Sequence, residues 1–394
     1  MKRRQFNQAG LALVASALAG PFALQTAIAQ NKSKPLIERW LDGETKANYG
    51  TAVTYTGAPI SLKYSSFLAP SSVLALLLIR AFKRLEADTN GKIVVRPFWG
   101  NTLANAQRGA FEAIAGGVAD FGQAYFLFDL AGSELFQGLQ LPFLFEDSLQ
   151  SSWTAMELYP KYLRKEYESK GVYLIRIDTT RPLQLFTINQ PIQTLDDLKG
   201  KRVWSPGSLS AQSVRALGGV PSALQTTEVY TAFQSGVVDV VPTHDAGAEL
   251  FRFAELAKYR TVVNLWVQNT ETGINKQVFD RLPADLKKIF YHWAQLWNQV
   301  EVHMYYEQEA LAAITSMQKR NIRSLTLPPQ EREKWIAATQ PVVDQFIAEK
   351  QAKGLPAREF VADMKALAAK YKGRTGDDIT QQLLARPIPG LIAF

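Results

Sequence analysis

The side chains able to do acid, base or metal chemistry are few in this 394-residue chain, and their spacing keeps most of them apart. There are three histidines and no cysteine. The missing cysteine excludes disulfides, thiol catalysis and zinc-thiolate sites. His292 and His303 fall within one helical pattern and share a face, but a rise of 1.5 Å per residue separates them by about 16 Å, too far to hold one metal ion. Both read as polar-face or packing residues. His244 follows Gly236-Val237-Val238-Asp239, where a helix stops and a strand begins, and it reads either as a ligand contact or as a plain loop histidine. Asp120 and Asp239 can be drawn as a carboxylate pair, yet both come straight after helix-stopping glycines, which suits local backbone bonding better. Gly-x-Ser-x-Gly, Gly-x-Gly-x-x-Gly and Gly-x4-Gly-Lys are all missing, so neither a nucleophile elbow nor a phosphate loop is offered. The chemistry on display is that of binding more than of turnover.

The elements that position these residues are written twice. One copy opens at Gly91-Lys92, continues through the apolar run Ile93 to Phe98 and a helix over 105–115, and ends at Gly117-Val118-Ala119-Asp120. The other opens at Gly200-Lys201, passes through Arg202-Val203-Trp204 and a helix near Leu209 to Leu217, and ends at Gly236-Val237-Val238-Asp239. Aligning the two glycine stops lays Ile114 on Phe233 and Phe111 on Tyr230. Each copy reads strand, helix, glycine stop, strand, the grammar of a parallel α/β unit. Two such lobes turn the carboxyl ends of their strands toward a shared crevice, the usual seat of a small ligand.

Around the lobes the pattern predicts further organisation. Residues 30–59 are turn-rich and read as an N-terminal extension. The first lobe spans 60–180 with a returning segment at about 269–282, and the second spans 181–268 with C-terminal elements at about 321–372. The alternating run from Ile60 predicts a strand, and Pro70-Ser71-Ser72 starts a helix over 73–87. The extended stretches 172–189 and 261–268 are long enough to cross between lobes as a hinge. From 283 to 320 the pattern is helical without proline or glycine, roughly 57 Å at 1.5 Å per residue. Such a helix either braces both lobes or builds a dimer. The tail 373–394 reads as irregular.

Bulk composition narrows the class. An apolar content of 47% supports sizeable cores, and the formal charge of +8 is spread without a Lys/Arg block, so nucleic acid is not implied. Lys2, Arg3 and Arg4, the uncharged stretch after them and Ala27-Ile28-Ala29 form an export signal with predicted cleavage after Ala29. Arg3-Arg4-Gln5-Phe6 resembles a twin-arginine signal, with the standard secretory route as the alternative. The mature protein is expected in the periplasm.

Several motifs, in order, carry a family resemblance from about Ile60 to Lys372. They are Thr89-Asn90-Gly91-Lys92, Gly117-Val118-Ala119-Asp120, Leu141-Pro142-Phe143-Leu144-Phe145 and Asp196-Asp197-Leu198-Lys199-Gly200-Lys201, then Glu228-Val229-Tyr230, Gly236-Val237-Val238-Asp239 and Leu282-Pro283. The chain resembles the solute receptors of tripartite ATP-independent periplasmic (TRAP) transporters. That resemblance implies a two-lobed α/β periplasmic binding protein fold, hinge strands crossing between lobes, and one long lobe-spanning helix. It implies a non-catalytic receptor, without a cofactor, that captures a small organic and usually anionic solute and delivers it to an ion-gradient-driven membrane permease. A secreted α/β enzyme and a receptor for an ATP-driven importer are the alternatives.

The same resemblance directs attention to particular residues. The family places an arginine four residues after the glycine of the Lys-Gly turn to grip a carboxylate; here that position is Trp204. Arg202, two residues earlier on the same face of the strand, and Arg181, on the first crossing strand, are the replacement candidates. Thr243 stands where the family has a polar residue after Gly-Val-x-Asp, with His244 next. Ser66, Trp99 and Tyr125 end strands of the first lobe. Together these eight are the expected ligand contacts, and the tryptophans and Tyr125 favour a guest with a flat or apolar portion.

Overall fold

The computed structural model describes residues 34–105, 109–123 and 134–394. The predicted export signal and Tyr125 lie outside the described residues. Leu36–Phe394 form one compact unit containing two sheets.

The alternating run makes β1 (Ile60–Ser65), which turns Leu62 and Tyr64 into the core. Ser72 then caps the helix Val73–Asp88 by accepting a 3.2 Å hydrogen bond from Ala75 N, satisfying one orphan donor of the first turn. β2 (Ile93–Phe98) returns parallel to β1 on one side. β3 (Phe121–Gln123), after the short helix Ala110–Ala115, lies parallel to β1 on the other. A helical stretch from Ser148 to Glu168 leads into β4 (Val172–Thr179), all of it buried.

From β4 the chain crosses into the second sheet. There it builds β5 (Gln184–Thr187), β6 (Arg202–Trp204), β7 (Val220–Ser222), β8 (Val240–Thr243) and β9 (Tyr259–Val262). It crosses back as β10 (Asn269–Asn275), antiparallel to β3 and β4, and later adds β11 (Arg323–Thr326) beside β9. The sheet orders are β2-β1-β3-β10-β4 and β11-β9-β5-β8-β6-β7. The two crossings bond to each other: Thr180 N to Gln268 O at 2.9 Å, Leu183 N to Trp266 O at 2.8 Å, and Leu265 N to Leu183 O at 3.1 Å. Two short strands joined this way make a hinge.

The repeat is present in three dimensions, with one correction. Asp120 N donates to Lys63 O at 3.0 Å while its carboxylate accepts Lys63 N at 2.6 Å. Asp239 does the same with Arg202, at 2.9 and 2.8 Å. Both aspartates therefore bolt a helix stop to the neighbouring strand and form no carboxylate pair. Gly117 (φ 76°) and Gly236 (φ 70°) occupy the left-handed region that such a stop needs. These contacts equate β1 with β6 and β2 with β7. Gly91-Lys92, which precedes β2, thus answers to Gly218-Gly219 before β7 and not to Gly200-Lys201 as the motif suggested. Gly91 (φ 74°) and Gly218 (φ 84°) share the left-handed turn. Identical Gly-Lys pairs had drawn the alignment one strand out of phase.

The long helix runs through Ala284–Gln299, Val300–Glu309 and Ala310–Lys319, its middle widened to a π-helix. Phe290, Trp293 and Trp297 are fully buried against Tyr64, Phe82 and Phe121 of the first lobe. Ala313 and Met317, further along, join the second-lobe core. The helix braces both bodies, and its large aromatic residues are spent inside the chain.

Two assignments differ from expectation. Of the 321–372 segment, β11 and Trp335 near the start of the helix Pro329–Ala352 belong to the second lobe. Phe346 and the helix Ala357–Tyr371 pack instead into the first-lobe core, because Phe346 and Phe360 close over Gly138, where only a glycine leaves room. The tail holds a capped helix, Gly376–Ala385, and its Leu383 O meets His292. The extension is ordered as well: Trp40 is fully buried, and Thr54 N and Tyr55 N donate to Asp285 in the first turn of the long helix. Those bonds hold the Asp285 carboxyl down at about 2.

Candidate functional site

A cavity of about 80 Å³ opens between the sheets. A single water needs roughly 10–15 Å³ by the same kind of measure, so there is room for a small organic molecule. Phe67 and Leu74 line it from the first lobe. Trp204, Thr226, Thr243, His244, Leu250 and Phe251 line it from the second. Thr180, Gln268, Asn269 and Thr270 of the crossing strands form its back, and the π-helical segment adds Tyr305 and Tyr306. The cavity thus touches both lobes, the hinge and the brace.

Trp204 ends β6, and its indole N–H donates to Leu224 O at 3.0 Å, which leaves the ring for apolar contact. It is nearly buried and packs edge-on to Phe253 in the second-lobe core, so it serves the fold as well as the cavity. Thr243 ends β8, and His244 caps the next helix: its Nδ1 accepts Gly247 N–H at 3.1 Å. Burial, followed by the charge of Arg181, pushes the His244 pKa down to about 3, so the ring is neutral. Tyr306 and Tyr305 meet that ring edge-on at 5.3 and 6.1 Å between centroids.

The other expected contacts stand elsewhere. Ser66 donates to Gln123 Oε1 at 2.7 Å and accepts Leu68 N at 3.2 Å, which ties the ends of β1 and β3 together without lining the cavity. Trp99 packs on the first-lobe core, edge-on to Tyr64. Arg202 starts β6 at the end remote from Trp204, and its guanidinium grips Asp239 at 2.9 and 2.7 Å. It is removed as the replacement for the missing arginine: two residues along a strand share a face, but here they sit at opposite ends. Arg181 leaves the hinge toward Glu307 of the π-helical segment, with which it forms an ion pair. Glu307 also accepts Ser148 N at 3.0 Å and Ser148 Oγ at 2.6 Å. Burial raises the Glu307 pKa against those favourable contacts.

Beneath the cavity lies a second charged group. Arg176 of β4, fully buried, bonds Asp178 at 2.7 Å, Glu301 Oε2 at 2.8 Å and Thr272 Oγ1 at 2.8 Å, and stacks 4.5 Å above Trp297. Burial pushes Glu301 up to about 7 and raises Asp178, so the two carboxyls share their charge around one cation. Thr270 links Asp178 to the cavity wall and lies 3.2 Å from the Tyr306 hydroxyl.

Sequence reasoning missed Phe67, Asn269, Thr270, Tyr305 and Tyr306. Tyr305 and Tyr306 stand out in the sequence only as aromatic residues of the long helix, which read as packing alone. Among the described residues no group of three His, Asp or Glu is placed to hold a metal ion, and no helix is long and apolar enough to cross a membrane.

Residues 65–350 match the family described as bacterial extracellular solute-binding protein, family 7. The C4-dicarboxylate-binding periplasmic protein DctP of Rhodobacter capsulatus is 26% identical over 343 residues, covering 84% of this chain and 97% of that protein. Among solved structures, a TRAP solute-binding protein of Rhodoferax ferrireducens with copurified benzoate superposes with a TM-score of 0.73 at 17% identity, covering 79% of this chain and 98% of the other. One from Bordetella bronchiseptica with bound mandelate gives 0.70 at 23% identity, covering 79% and 99%.

Proposed function

The chain belongs to the bacterial extracellular solute-binding proteins of family 7, the receptors of TRAP transporters, and from that premise we propose that its guest is a small organic acid with a flat or apolar portion. The receptor captures its solute between two lobes and delivers it to an ion-gradient-driven permease. The observation that carries the reading is the cavity itself, walled by both lobes, backed by both crossing strands and lined by aromatic rings. A guest there touches both halves at once, so it stabilises the closed arrangement by its differential contacts. Benzoate and mandelate, held by two structural relatives, are of the size and shape this wall suits.

Trp204, Thr243 and His244 are the proposed contacts among the residues singled out in the sequence. The export signal is removed after Ala29 by the twin-arginine or the standard secretory route, and the protein acts in the periplasm without catalysis, as a monomer or as a dimer through the long helix. A melting screen over benzoate, mandelate and C4-dicarboxylates tests the reading. Saturation at a hundredfold over the dissociation constant stabilises by about 2.7 kcal/mol. If no acid shifts the transition and mass spectrometry finds no solute copurifying from the periplasm, the reading is wrong. Recovery of a chemically altered guest would transfer the protein to the enzymes.

A further inference from the structure

We infer that the polar end of the guest is read by neutral donors, His244 Nε2–H and the Tyr305 hydroxyl, so that the receptor binds an aryl acid and the matching uncharged amide with similar affinity. The inference rests on the proposed small aromatic or apolar guest and adds what the site asks of its charge.

Several cavity-lining residues carry polar atoms with no hydrogen-bond partner among the described residues. Because His244 Nδ1 accepts Gly247 N–H, the neutral ring must carry its proton on Nε2, and that N–H has no hydrogen-bond partner among the described residues. The Tyr305 hydroxyl is buried without a partner. So is Oδ1 of Asn269, whose amide nitrogen is directed at Phe136 O. Leaving such groups dry and unpaired is costly, and a well-matched guest removes that cost. Two donors suit a carbonyl or carboxyl oxygen, and one acceptor suits an amide N–H or a hydroxyl beside it.

The charges nearby are already matched. Among the described residues the lining contains no lysine or arginine. Arg181 is paired with Glu307, and Arg176 with Asp178 and Glu301. A carboxylate entering the cavity therefore meets hydrogen-bond donors and, among the described residues, no cation in the lining; Arg181, whose charge reaches His244, is held by Glu307, so an amide loses little beside the acid. The His244 ring stays neutral throughout the physiological range and so supplies no charge of its own.

Calorimetric titration of the whole mature protein with matched pairs, benzoate and benzamide, phenylacetate and phenylacetamide, mandelate and mandelamide, tests this. The expected result is that acid and amide of the best pair bind within tenfold of each other. His244→Asn keeps the cap acceptor and removes the Nε2 donor, and Tyr305→Phe removes only a hydroxyl; each is expected to weaken both members of the pair by about tenfold. An acid preferred by roughly a hundredfold over its amide would show a cation at the site and overturn the inference. Unchanged affinity in both variants, with unchanged melting, would overturn it too. If no aryl pair binds but a different solute copurifies, this inference fails while the receptor assignment stands.

Discussion

Arg176→Met isolates the forces that join the crossing strands to the brace. Methionine matches much of the arginine stem but leaves Asp178 of β4 and Glu301 of the long helix buried without their cation. Removing one partner of a buried ion pair costs about 3–5 kcal/mol, because the remaining charge stays desolvated. The carboxyls escape that cost by taking up protons, which makes the penalty depend on pH. Glu301 already stands near 7 and Asp178 is raised, and without Arg176 both move higher. A carboxyl with a raised folded pKa contributes stability below its unfolded value and loses it as pH rises toward the folded value. The gap between wild type and variant is therefore widest at pH 8 and narrows toward pH 5, by about 1.4 kcal/mol per pH unit for each carboxyl titrating. Urea unfolding followed by tryptophan emission measures it, and Trp297 lies directly beneath the guanidinium. Adding Asp178→Asn and Glu301→Gln to the variant should restore most of the loss at pH 8. A gap below about 1 kcal/mol, or one of equal size at pH 5 and pH 8, would refute the charge-sharing account.

The repeated stops predict a matched pair: Gly117→Ala and Gly236→Ala meet nothing within 4 Å, so each should cost only the left-handed backbone penalty, about 1–2 kcal/mol, seen as similar falls in melting temperature. Trp204→Ala should destabilise by about 3–5 kcal/mol in denaturant titrations because the ring belongs to the second-lobe core, whereas Trp204→Phe should fold normally and report on the cavity. His244 titrates near 6.5 when unfolded and near 3 when folded, so its contribution is present above pH 6.5 and lost on acidification, about 2 kcal/mol by pH 5. His244→Asn should remove that acid-side slope from the stability profile measured between pH 7 and pH 5. Arg202→Ala should leave solute affinity within twofold of wild type by calorimetry, and a larger loss would return Arg202 to the binding site.

Much of the architecture was legible because it rests on local periodicity. Alternation at Ile60 and glycine stops at Gly117 and Gly236 determine strands and helix ends within a few residues of chain, and the unbroken pattern after Pro283 announces the brace. Trp204, Thr243 and His244 were legible as strand-end residues of the second lobe for the same reason. Whether Arg202 and Trp99 face the crevice was not legible, since a face shared along a strand says nothing about which end meets the crevice or which neighbour already holds the side chain. The tail failed for a related reason. Its helix is short and owes its place to contacts with the long helix and the extension, far away in sequence.

By itself the amino-acid sequence determined that this chain makes two α/β halves with a crossing hinge and a rigid brace, because hydrophobic period, caps and left-handed glycines act over a turn or two of backbone. Only the tertiary structure decided what faces the space between the halves. There the neutral His244 and the unpartnered Tyr305 hydroxyl depend on burial, and Arg181 and Arg176 are neutralised by Glu307 and Glu301, more than a hundred residues away in sequence; desolvation and Coulomb effects are set by distance in space.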